Sequence, residues 1–316
     1  MDAKFDGWPH IIDTRQFSRE LLENNLFPLA RRMEKIFKHG GNNDLRDKIA
    51  FMLFFEASTR TRFSFESAML FLGGKVLQTE NAKEFSSAIK GESLADTIRV
   101  LCRYKPNVII LRHHEEGSAE LAAKVSSAPI INAGDGRGQH PTQALLDIYT
   151  IQKKLGHIDG ISIAMVGDLM NGRTVRSLCY LLGKFDRIII YFVSPACAKM
   201  KDDIKEYLSR HRVCFGDRNN LREVAEKVDV IYQTRTQKER GTFFDRNDHS
   251  LGYFVVDSEI LSLMKKDAII MHPLPRVDEI TPEIDDDPRA IYLTDQVDSG
   301  LFIRMALLKM ILNSDA

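Results

Sequence analysis

KIAFMLFFEASTRTRFSFESAMLFL, residues 48–72, decides the fold class. Residues 48–55 are a short apolar run with aromatic and aliphatic side chains, which reads as a buried strand. Glu56-Ala57-Ser58-Thr59-Arg60-Thr61-Arg62 breaks that run with hydroxyls and guanidiniums. Phe63, Phe65, Ala68, Met69 and Leu72 then recur at helical spacing. Strand, polar loop, helix is the opening half of a βαβ unit.

The same pattern repeats outward from this stretch. Apolar runs at 107–111, 129–132, 161–166, 187–193, 229–232 and 268–271 read as strands. Segments 92–104, 141–155, 173–183 and 196–210 read as helices. Such alternation implies parallel sheets covered by helices on both faces. A chain of 316 residues is long enough for two of them. The expected fold is therefore α/β, with two doubly wound parallel-sheet domains joined by long helices. His140-Pro141 opens a bridging helix, because Pro suits the first helical turn. A second series starts at Ile161, and the apolar helix 299–313 returns to the first domain. The expected division is 1–141 with 298–316, against 142–297.

Composition narrows the function. Hydrophobic residues make up 44% and charged residues 28%, an ordinary globular balance that argues against disorder. Lys+Arg and Asp+Glu are 44 each, so a nucleic-acid binder working by bulk positive charge is not expected. Cys102, Cys179, Cys197 and Cys214 lie far apart without a CxxC pair, which speaks against a zinc ribbon, a thioredoxin-like site or a disulfide framework. No apolar run approaches the roughly 18 residues of a membrane span, and MDAKFDGWPHIID has no apolar h-region. A cytoplasmic protein with reduced thiols and no membrane partner is the expectation.

In open α/β sheets, ligands bind beyond the carboxyl ends of strands. Loop 56–62 opens a helix, where Ser58 or Thr59 would cap and free N–H groups would attract an anion. With Arg60 and Arg62 it reads either as a phosphate cradle or as a plain capped helix with solvated arginines. Arg112-His113 ends the run 107–111. Gly134–Gln143 carries permissive glycines, with His140 and Gln143 at the start of a helix. Gly167–Thr174 carries Arg173 but lacks GxGxxG, and no P-loop is present. Thr234–Arg240 and His272-Pro273-Leu274-Pro275-Arg276 complete the set, and an X-Pro bond in the latter is a candidate for cis. Arginines 60, 112, 173 and 235 all fall at or after strand ends. Convergent cations in a neutral chain suit a small, multiply charged anion.

FFEASTRTRFSFE (54–66), HPTQALLD (140–147), GDLMNGRTVRS (167–177), TRTQKER (234–240) and HPLPRVDEI (272–280) resemble, in order and over nearly the whole chain, the aspartate/ornithine carbamoyltransferase family, its aspartate-using catalytic chains above all. Ala57 departs from the family's usual Pro but removes no ligand group. The resemblance implies carbamoyl transfer from carbamoyl phosphate to L-aspartate in pyrimidine biosynthesis, without metal or organic cofactor. It assigns 1–141 with 298–316 to carbamoyl phosphate and 142–297 to aspartate. Ser58, Thr59, Arg60, Thr61 and Arg112 would hold the phosphate end. Thr61, Arg112 and His140 would polarise the carbamoyl oxygen. Gln143 and the carbonyls of Pro273 and Leu274 would hold the amide nitrogen. Arg173, Arg235 and Gln237 would hold the aspartate carboxylates, with Glu56 pairing with Arg173 in the closed form. The resemblance also implies a homotrimer in which Ser86 and Lys90 reach a neighbour's site, Lys90 helping to bind aspartate. It leaves room for regulatory chains.

Three other readings compete. Ornithine-using relatives resemble this chain in the STRTR loop but carry HPCQ, HCLP and a Ser-Met-Gly loop. Here stand HPTQ and HPLP, with no Ser-Met-Gly. Arg235 with Gln237 suits a second carboxylate better than an amine. A non-catalytic relative would have lost ligand residues, and none is missing. A dinucleotide oxidoreductase lacks its glycine fingerprint.

Overall fold

The computed structural model describes residues 10–80, 82, 90–235 and 254–312. The chain divides into two units, Met1–Leu145 with Ser299–Ala316, and Leu146–Asp298.

In the first unit, β1 (Ile49–Phe54), β2 (Lys75–Glu80), β3 (Val108–His113) and β4 (Ile130–Asp135) form one parallel sheet in the order β2-β1-β3-β4. The apolar runs form β1, β3 and β4, whose side chains are almost all buried, as parallel strands covered on both faces require. Phe51, Leu53, Ile109, Leu111 and Ile130 pack with Ile98 and Ala122 from helices Leu94–Cys102 and Ser118–Val125. Ser93 starts the first of these by accepting the Asp96 N–H at 3.1 Å. The chain steps from β1 to β2 on one side, then crosses to β3 on the other. The order therefore reverses between β1 and β3, which opens a crevice at their carboxyl ends.

The second unit repeats the device. β5 (Ser162–Val166), β6 (Ile189–Val193), β7 (Cys214–Arg218), β8 (Val230–Gln233) and β9 (Ile269–Met271) run parallel in the order β7-β6-β5-β8-β9. Ala164, Val166, Val193, Ile231, Val256, Ile270 and Tyr292 share one core. Here the order reverses between β5 and β8. Thr234 closes the ends of these strands with its N–H and its Oγ1, each 2.8 Å from the Val166 carbonyl. Gly167 lies beside it at φ +107°, and an added Cβ would sit 2.3 Å from the Thr234 carbonyl oxygen. Only glycine fits there.

The two parallel-sheet units and the return of the last helix agree with the sequence reading. Several details differ. The unit division falls inside helices Pro141–Leu155 and Asp295–Leu312 rather than at the start of the first. Strand β2 (KVLQTE) is not among the apolar runs, and strand β7 (CFGDR) was not expected. Both are sheet edges with polar positions, so neither shows a continuous apolar run. The expected helix 196–210 is a short turn, Ala196–Ala198, followed by helix Asp202–Arg210. Lys199 and Lys201 between them have extended backbone, at ψ 150° and 153°. Helices Ser118–Val125 and Ser258–Leu263 were also not foreseen. Among the described residues no helix is long and apolar enough to cross a membrane.

Candidate active site

The first unit gathers its site residues at the β1/β3 reversal. Ser58 is the N-cap residue of helix Thr59–Phe71, at φ −160° and ψ 96°. The expected capping bond is absent: the Ser58 side chain accepts no N–H of the helix. Its hydroxyl is thus not spent on the helix, whose first turn directs N–H groups and the positive dipole end into the crevice. Thr59 and Arg60 are exposed and Thr61 is buried.

Arg112 reaches the same crevice from the end of β3. It is 9% exposed, and its Nη1 donates to the Ala133 carbonyl at 3.2 Å. Its Nη2 donates to Glu56 Oε1. The Phe55 N–H donates to the Arg112 carbonyl at 2.8 Å, so the two strand ends stay in register beyond β1. A buried guanidinium at a strand end, already paired with a carboxylate, is a candidate anion site.

His140 and Gln143, buried at the start of helix Pro141–Leu155, follow β4. Asp135 builds the turn that delivers them. Its Oδ1 accepts the Gln139 N–H at 2.7 Å and an Asn132 amide hydrogen at 3.2 Å. Its Oδ2 accepts the Gly117 N–H at 3.0 Å. Gly136 must be glycine, because at φ +47° a Cβ would meet the His114 carbonyl oxygen at 2.7 Å. Asp135 escaped the sequence reading, although an Asp between glycines is a turn-builder's signature.

The second unit places Arg173 and Arg235 after the two strands that flank its own reversal, β5 and β8. Arg173 is buried at the start of helix Arg173–Leu182. Before it, the Asp168 carboxylate accepts the Asn171 N–H at 3.1 Å and shapes loop 167–172. Arg235 is half-buried one residue after Thr234. Gln237 lies outside the described residues.

Loop 272–279, after β9, carries Pro273 and Leu274. His272 is its internal brace. The Leu274 N–H donates to His272 Nδ1 at 2.7 Å, which leaves Nε2 as the protonated nitrogen facing Glu279 Oε1 at 2.8 Å. Burial acts to raise the Glu279 carboxyl, but bonds from His272 and backbone N–H groups outweigh it and hold the group below its ordinary range. Leu274 sits at φ +55° and its bond to Pro275 is cis. Two short-range contacts thus fix where the Pro273 and Leu274 carbonyls stand. Arg276 then forks onto Asp285, with Nη2 2.9 Å from Oδ2.

The structure brings Ser58, Thr59, Arg60, Thr61, Arg112, His140 and Gln143 into the first unit, and Arg173, Arg235, Pro273 and Leu274 into the second. Lys90 is exposed in the first unit and makes no hydrogen bond or ion pair with the others among the described residues. Ser86 lies outside the described residues. Among the described residues no cluster of His, Cys, Asp and Glu fits a metal ion.

Two parallel units, each with cationic residues at the point where its strand order reverses, define a group-transfer enzyme for small anions. The family model described as aspartate/ornithine carbamoyltransferase, carbamoyl-P binding domain, matches residues 9–153. The companion Asp/Orn binding domain matches residues 159–311. The chain belongs to the aspartate/ornithine carbamoyltransferase family. It is 57% identical to the chloroplastic aspartate carbamoyltransferase of Arabidopsis thaliana, over 96% of this chain and 77% of that one. It is 50% identical to the aspartate carbamoyltransferase catalytic subunit of Thermoplasma acidophilum, over 92% of this chain and 93% of that one. The catalytic subunit of M. jannaschii aspartate transcarbamoylase superposes with a TM-score of 0.89 at 45% identity, covering 97% and 99%. The Trypanosoma cruzi enzyme in complex with carbamoyl phosphate and aspartate superposes at 0.87 and 42%, covering 95% of each chain.

Proposed function

We propose that this chain transfers the carbamoyl group of carbamoyl phosphate to the amino group of L-aspartate, giving N-carbamoyl-L-aspartate and phosphate for pyrimidine biosynthesis. One observation carries the reading: buried Arg112 and the start of helix Thr59–Phe71 meet at the first reversal, while Arg173 and Arg235 flank the second. One anionic substrate per unit is the chemistry this supports. Relatives from plants and archaea that cover nearly the whole chain bear the aspartate-specific name.

The aspartate amine attacks the carbamoyl carbon, and the carbonyl π pair moves onto oxygen. Thr61, Arg112 and His140 stabilise that oxygen, each donor being worth about 2.7–4 kcal/mol in comparable acyl transfers. Collapse of the adduct breaks the bond from carbon to the phosphate oxygen. Phosphate leaves with the electron pair, neutralised by Arg60, Arg112, Ser58, Thr59 and the helix N–H groups, and takes the proton from the amine. Gln143 and the carbonyls of Pro273 and Leu274 hold the carbamoyl nitrogen. Arg173, Arg235 and Gln237 take the two carboxylates, which supplies the orientation on which the rate depends.

The assembly is a homotrimer in which Ser86 and Lys90 serve a neighbour, and regulatory chains are compatible with it. A cytoplasmic location fits four free cysteines, the state favoured in a reducing compartment. Phosphate release from carbamoyl phosphate is the test. It should depend on L-aspartate and stay at background with L-ornithine; release with ornithine alone would overturn the assignment.

A further inference from the structure

A second set of buried polar groups lies in Leu146–Asp298, and the reaction scheme above uses none of it. Asp147, on helix Pro141–Leu155, is fully buried. The Tyr232 hydroxyl, at the end of β8, donates to Asp147 Oδ2 at 2.7 Å. Gln296, on helix Asp295–Leu312, donates through Nε2 to Asp147 Oδ1 at 2.7 Å. Gln296 Oε1 accepts the His272 N–H at 2.9 Å. Tyr232, Asp147, Gln296 and His272 are each 2% exposed or less. Thr174, next to Arg173, interacts with the same phenol.

The chain of bonds has one sense. Burial and the Asp147 charge push the Tyr232 hydroxyl well above its ordinary range, so it stays a donor. The carboxylate accepts on both oxygens. The Gln296 amide must then offer nitrogen to Asp147 and oxygen to His272. Turned over, it would face one donor with another and set oxygen against oxygen. A buried network satisfied in only one arrangement specifies geometry.

We infer that Gln296 and Asp147 are positioning residues for the loop bearing Pro273 and Leu274. Gln296 fixes the N–H at which that loop leaves β9, and Asp147 fixes Gln296. The inference rests on the proposed reaction, in which those two carbonyls hold the carbamoyl nitrogen. It differs from a purely structural role because the loop's placement affects turnover, whereas phosphate binds to residues of the other unit.

Gln296→Leu keeps the approximate volume and removes both bonds. Its kcat should fall about a hundredfold, the cost of an ångström-scale misplacement. The dissociation constant for inorganic phosphate should stay at the wild-type value. Amide exchange at His272 and Leu274 should accelerate, while exchange in β5 and β6 does not. Gln296→Glu supplies the second arm. Only the protonated acid can donate to Asp147 while its carbonyl accepts from His272. The new carboxyl would face the Asp147 carboxylate, whose other oxygen Tyr232 holds, and the N–H of His272, whose ring pairs with Glu279; the cations on the same elements include Lys154, paired with the adjacent Asp295 at 3.0 Å, and Arg173, next to Thr174. Burial and the Asp147 charge raise its pKa, so activity relative to wild type should recover as pH falls. Wild-type kcat with unchanged exchange in Gln296→Leu, or a pH-independent deficit in Gln296→Glu, would overturn the inference. Failure of the wild type to turn over aspartate would overturn the proposed function instead, and the exchange comparison would still judge the positioning role.

Discussion

Arg112 donates through Nη2 to Glu56, so the guanidinium at the end of β3 is engaged by a carboxylate from the loop after β1. The side chains are 11% and 29% exposed, which leaves the pair accessible to a competing anion. A phosphate entering the crevice must share Arg112 with Glu56 or displace it. Glu56→Gln removes the competing charge. Inorganic phosphate should then bind about fivefold tighter, corresponding to roughly 1 kcal/mol for a partly exposed pair. Titration calorimetry measures this directly. Weaker binding would mean that Glu56 serves to orient Arg112 rather than to compete for it.

Arg60 and Arg235 should separate the two substrates. Arg60 stands in the first turn of helix Thr59–Phe71, and its exposure gives it little weight in stability. Arg60→Ala should keep the wild-type melting temperature and lose about a hundredfold to a thousandfold in kcat, the range for removing one charge-stabilising donor. Arg235→Ala should raise the aspartate KM strongly and leave equilibrium binding of carbamoyl phosphate unchanged. Equal weakening of both substrates in the Arg235 variant would contradict this division of labour.

What the sequence made legible follows from where each element lies. β1, β3 and β8 are flanked by strands on both sides and read as apolar runs, and the polar residues that follow them read as site residues. Edge strands β2 and β7 carry polar side chains and lack that signal. The braces behind the site are least visible. Gln296 and Asp147 are 149 positions apart, and nothing local in either segment announces the other. His272 with Glu279 is closer, yet a histidine before a proline does not disclose that its ring, rather than a ligand, takes up the loop's N–H. Sequence therefore indicated the polar loops at the strand ends better than the residues that hold those loops in place.

The clamp on Asp285 should make stability pH-dependent in a defined window. Arg276 forks onto this carboxylate and the Tyr292 hydroxyl donates to it. The Arg276 bonds are the largest cause of a pKa held below the ordinary carboxylate value. A folded-state pKa below the unfolded one contributes stability that is fully present above the unfolded value and lost as pH falls through the folded one. Asp285→Asn should thus be less stable than wild type at neutral pH by about 1 kcal/mol, a value discounted for partial exposure. The gap should close only in acid, below the ordinary carboxylate range. Urea unfolding of both proteins across that range is the check, and a gap that widened in acid would refute the assignment.

The proposed sharing of sites between subunits can be tested by mixing two inactive chains. Lys90 is exposed and lies in a stretch, 79–92, of mostly polar sequence. An exposed lysine there has no reason to dock on its own core, but an anion in a neighbour's crevice would fix it. In a closed ring every site would receive one such residue. Arg60→Ala and Lys90→Ala should each be nearly inactive alone. Co-expressed in equal amounts, they assemble at random. A site works when the chain providing Arg60 adjoins a neighbour providing Lys90. Each condition holds with probability one half, so about a quarter of the sites should regain wild-type turnover. Were both residues drawn from the same chain, every site would lack one of them, and no mixture would recover activity.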